Sequence, residues 1–87
     1  MNTPLDKNEF IKRLKAILKL RKALTKDDVK HVLNTFWKFN KDKIDVKYQY
    51  SCYETVVRVM KTFKAVIEGS RGHYYFVSNK VLLEAVY

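Results

Sequence analysis

The sequence predicts an α+β domain, mostly helical, in the order helix, helix, strand, helix, β-hairpin, helix. Three observations predict it. Two Gly and one Pro in 87 residues leave few tight turns, which favours helices. Apolar residues recur at helical spacing in two long segments of the first half. One alternating stretch and one Gly-flanked turn interrupt that pattern in the second half. A chain of this length buries roughly 60–65% of its unfolded surface, enough for one modest core. The 47% apolar and 14% aromatic content supplies that core, so residues 1–87 read as a single domain.

The elements follow in chain order. Thr3 can cap a helix, Pro4 suits its first position, and Asp6 lies three residues past the cap. Phe10, Ile11, Leu14, Ile17 and Leu18 then form one apolar arc, so the first helix is expected over about 4–22. Thr25 to Asp28 reads as a capping box, with Leu24 and Val29 placed as a hydrophobic staple. The second helix, about 26–39, would bury Val29, Val32, Leu33, Phe36 and Trp37. Ile44, Val46, Tyr48 and Tyr50 alternate with Asp45, Lys47 and Gln49, the period of a half-buried strand. Ser51 to Glu54 reads as a further capping box, opening a third helix over about 52–64. That helix would bury Tyr53, Val56, Val57, Met60 and Phe63 and show Thr55, Arg58, Val59 and Thr62, with Lys61 at the edge. Residues 65–77 place β-formers on both sides of Gly69-Ser70-Arg71-Gly72, as in a hairpin. Ser78 or Asn79 would cap a last short helix from Lys80 to about Val86.

Charge speaks about partners rather than fold. Eighteen Lys+Arg against nine Asp+Glu give +9. Residues 1–43 carry +7 of it, and Lys12 to Lys22 contains six basic residues and no acid. Lys12, Lys15, Lys19 and Lys22 share one arc of the first helix, as a phosphate track would; a solvated helical face has the same pattern. Nucleic acid is the common anionic partner for such a domain. Lysine meets phosphate as a point charge, whereas arginine gives bidentate recognition, so the four arginines carry more information.

Residues 51–77, a capped helix with a polar outer face followed by a hairpin with a basic tip, resemble the second half of a winged helix-turn-helix domain. The likeness is to small repressors of the ArsR and MarR type, through Ser51, Thr55-Val56-Val57-Arg58, Met60 and Phe63, and through Arg71-Gly72-His73-Tyr74-Tyr75. It implies a winged-helix-like fold, with helix 52–64 in the major groove and hairpin 65–77 as the wing. On that resemblance Thr55, Arg58, Lys61 and Thr62 contact base edges, Arg71 reaches phosphate or minor groove, and Ser51 meets a phosphate. About eleven residues join the second and third helices, where a helix-turn-helix uses three or four.

The expected function is therefore sequence-specific binding of double-stranded DNA, as a transcriptional regulator or a plasmid or viral centromere- or origin-binding protein. A homodimer formed through the first and last helices would present two reading units. An alternative is a small virus- or plasmid-encoded protein-interaction module or inhibitor. A third is a single-stranded nucleic-acid binder using exposed tyrosines. No P-loop, Gly-rich phosphate loop, nucleophile elbow or HExxH occurs, so neither an enzyme nor a cofactor is expected. One cysteine, Cys52, and two distant histidines offer no metal set. No apolar run approaches a membrane span and Met1 to Asp6 lacks a signal-peptide pattern, so the expected location is cytoplasmic and away from membranes.

Overall fold

The computed structural model describes residues 4–20, 26–68 and 79–86. It has four helices: α1 (Lys7–Leu20), α2 (Lys26–Asn40), α3 (Val46–Glu68) and α4 (Asn79–Ala85), with a 3-10 turn (Lys41–Lys43) between α2 and α3. Among the described residues there is no strand; one isolated parallel bridge pairs Leu5 with Ile44. The α+β winged-helix order is thus overturned in favour of a helical globule.

The bridge explains why α1 starts later than Thr3-Pro4 suggests. Leu5 donates its N–H to the Lys43 carbonyl at 2.8 Å and accepts from Asp45 N–H at 3.0 Å. An extended residue paired in this way cannot also belong to a first helical turn. Asp6 therefore takes the capping role, its Oδ1 accepting the Glu9 N–H at 2.8 Å. The second helix ends at Asn40, close to expectation. Asn40 is buried, and its Nδ2 donates to the Phe36 carbonyl at 2.9 Å while Oδ1 accepts from Arg13 Nη1 at 3.4 Å.

The largest correction concerns residues 44–68. Residues 46–50, expected as strand, are the first turn and a half of α3. Asp45 opens this helix: its Oδ1 accepts the Lys47 N–H at 3.2 Å and its carbonyl accepts the Tyr48 N–H at 2.8 Å. Gln49 Nε2 ties the new turn back to the Lys41 and Ile44 carbonyls at 3.3 and 3.2 Å. Ser51 is consequently an interior helical residue, not a cap. The helix also runs past residue 64 to Glu68, so the first arm of the expected hairpin is helical. The rest of that hairpin, with Arg71, lies outside the described residues.

The buried face of α3 is turned by about one residue from expectation. Cys52, Thr55, Val56, Val59 and Phe63 are buried, whereas Tyr53 is 49% exposed and Val57 and Met60 are half-buried. This face meets Phe10, Ile11, Leu14 and Leu18 of α1, Val29, Leu33 and Phe36 of α2, and Leu82, Ala85 and Val86 at α4 in one core. Each fully buried Leu or Phe contributes on the order of 2–3 kcal/mol by removal of apolar area from water. Leu82 and Val86, at the last helix through which a homodimer was expected, are inside that core.

Candidate nucleic-acid interface

Four aromatic rings lead from the core to the surface between α2 and α3. Phe10 is fully buried and meets Phe36 at 5.2 Å between ring centroids and Trp37, edge to face, at 6.2 Å. Trp37 in turn meets Tyr53 at 5.4 Å with the planes tilted by 57°. The first rings fix the Trp37 side chain; the last stands half in water. Such tilted contacts add about 0.5–1.5 kcal/mol beyond area burial.

Trp37 and Tyr53 form part of a groove of about 510 Å³. Lys30, Asn34 and Trp37 line it from α2, following at i, i+4 and i+7; Tyr53, Val56, Val57, Met60, Lys61, Phe63 and Lys64 line it from α3. The floor is apolar and aromatic, the three charged residues are lysines, and none of the described lining residues is acidic. At its Tyr53 end a smaller depression of about 400 Å³ adds Tyr50, Glu54 and Arg58. There the hydrogen bond with the Glu54 carboxylate, and its negative charge, hold the Tyr50 hydroxyl above its ordinary pKa.

A second basic surface lies on α1. Lys12, Lys15 and Lys19 line one depression of about 530 Å³ with Asn8, Ile11 and Ala16, and none of the described residues lining it is acidic. The sequence spacing had placed these lysines on one arc, and the helix brings them together. Lys22, the fourth of that set, lies outside the described residues. A third depression, about 430 Å³ between α1 and α2, is mainly apolar: Ile17, Leu20, Val32, Phe36 and Phe39 line it with Arg13 and His31 beside them. Leu20 is 81% and Phe39 66% exposed there, and Lys43 Nζ sits 3.6 Å from the Phe39 ring centroid.

The remaining expected contacts divide sharply. Arg58 and Lys61 are exposed on α3 and share one depression. Thr55 is buried, and its hydroxyl donates to the Ser51 carbonyl at 3.0 Å, the usual internal bond of a helical threonine. Ser51 and Thr62 are half-buried. The expected polar reading face is therefore reduced to Arg58 and Lys61. Sequence reasoning passed over Lys30 and Lys64 and assigned Trp37 and Tyr53 to the buried stripes of their helices; the i, i+7 spacing of Lys30 and Trp37 was the visible signal on α2.

Among the described residues no group of three or more His, Cys, Asp or Glu is placed to hold a metal ion. No helix among them is long and apolar enough to cross a membrane. No protein-family model matches the chain, and neither a curated protein nor a solved structure matches it significantly.

Proposed function

We propose that the chain is a nucleic-acid-binding module that grips the phosphate backbone through lysines, with double-stranded DNA as one of its partners. The observation that carries this reading is the depression shared by Lys12, Lys15 and Lys19, which brings three lysines of one helix face together. Three cations along about two turns of one helix present a line of positive charge to a run of phosphates. The net charge of +9 adds long-range attraction. Lysines of this kind supply affinity and little sequence information. Any preference among sequences falls to Arg58, whose guanidinium suits a guanine edge. A role as a transcriptional regulator, or at a plasmid or viral origin or centromere, requires such a preference and is tested by selection from random duplexes.

The primary test is a titration of duplex DNA at several salt concentrations. Binding is expected to weaken with a log–log slope of about −0.9 for each phosphate neutralised. Lys12→Gln with Lys19→Gln is expected to flatten that slope by about 2 and to act equally on all sequences. Absence of duplex binding at low ionic strength overturns the double-stranded reading.

A second reading, a protein-interaction module, is supported by the apolar α1–α2 depression and the exposed Leu20 and Phe39. Salt separates the two. A partner docked on apolar side chains stays bound at ionic strengths that strip nucleic acid.

A further inference from the structure

We propose that the α2–α3 groove is a stacking site for an unpaired base of single-stranded nucleic acid, received by Trp37 and Tyr53 and flanked by phosphates at Lys30 and Lys61. This deepens the nucleic-acid reading and rests on it.

The argument begins with the rings. Aromatic side chains that only fill a core are enclosed on all sides, as Phe10 is. Trp37 and Tyr53 instead line an open groove, and Tyr53 keeps 49% of its surface in water. Their 57° tilt means that neither ring seals the other face to face. Phe10 meets Trp37 at a near-perpendicular angle from the core side, so the platform is held in place before any ligand arrives. A flat π-surface recruits any base, which makes stacking tolerant of sequence.

The charge argument is independent of the rings. An apolar groove meant for an apolar partner has no need of several cations. Here Lys30 enters from α2 and Lys61 from α3, on opposite walls, and none of the groove's described lining residues is acidic. A nucleotide supplies a base for the floor and negative charge for both walls. The groove's volume of about 510 Å³ falls within the range of small-ligand sites. A base held inside a duplex is already stacked on both faces, so the site selects unpaired bases. An acidic amphipathic helix is the competing occupant, with carboxylates in place of phosphates.

The experiment reads Trp37, the chain's single Trp, by fluorescence. Oligo-dT, polyphosphate, duplex DNA and poly-glutamate are each titrated into the full chain. Oligo-dT is expected to quench the emission, while polyphosphate, which has charge and no base, does not. Tyr53→Ala is expected to weaken oligo-dT binding about tenfold and to leave duplex binding within about twofold, with Tyr53→Phe restoring the affinity. Lys61→Gln, at an exposed position, is expected to lower the salt slope for oligo-dT by about 1. Duplex binding with steep salt dependence but no quenching by oligo-dT sinks the stacking site and spares the broader reading. Binding of no nucleic acid at low salt removes both. Quenching by poly-glutamate as strong as by oligo-dT overturns the base site in favour of a protein partner.

Discussion

Cys52 shows how a single position changes meaning once its surroundings are known. One residue past a helix cap, a thiol is drawn toward the reactive thiolate. In the middle of α3 it is fully enclosed by the core. Burial pushes its pKa up; the nearby Lys7 charge opposes that shift and Asp6 reinforces it. The folded chain therefore keeps the proton at a pH where the unfolded chain has lost it. Stability from this group is complete below the ordinary thiol pKa and declines as pH rises through the window between the two values. Denaturant melts across that window should show a fall that is smaller in Cys52→Ala, and the native thiol should resist alkylation until the chain unfolds. Rapid alkylation of the native protein is the result at odds with an enclosed thiol. Asn40 and Thr55 complete the picture of buried polar groups with named partners, Phe36 and Arg13 for the one and Ser51 for the other.

At the scale of elements, the apolar arcs of α1 and α2 and the short C-terminal helix were legible because long stretches obeyed a single period. Residues 44–52 obeyed two. Ile44, Tyr48 and Cys52 are four apart, and every multiple of four is also a multiple of two. A strand and a helix therefore both place these three on one face. The residues that tell them apart are Val46 and Tyr50, which a strand would turn to the same side as Ile44; they are 80% and 72% exposed. Being apolar, they hid the difference from any count of hydrophobic positions. The long connection between the second and third helices, awkward for a helix-turn-helix, was the one trace of it. In the site, the lysine arc of α1 was legible from one helix's periodicity. The groove was not, since it depends on which faces of α2 and α3 meet. Ser51→Ala tests the reassignment by its sign. At a cap it would cost about 1 kcal/mol. In a helix interior alanine is the better residue, and a gain of a few tenths of a kcal/mol in denaturant stability is expected.

The molecule as a whole is elongated, 47 × 21 × 19 Å, around a 23-residue helix about 35 Å long. All four helices contribute to the one core. At the C-terminal end of the described residues Leu82 is fully and Val86 almost fully buried within the chain, while Leu83 is half-buried. Leu82→Ala is thus expected to destabilise the fold by about 2–5 kcal/mol, a large share of the roughly 5–15 kcal/mol typical of a domain. The loss should be independent of protein concentration. A loss that shrinks as the protein is concentrated would place Leu82 between two copies instead.

The bridge between Leu5 and Ile44 has a consequence in polymer terms. It closes a ring of about forty residues that holds all of α1 and α2. The entropy of closing such a ring grows only with the logarithm of its length, about 3 kcal/mol here, yet two backbone hydrogen bonds make up the clasp. The clasp cannot outlast the helices it encloses, because alone it does not repay the closure. Its amides thus belong to the same opening event as the docking of α1, and they should exchange hydrogen with solvent together with that helix rather than as a frayed end.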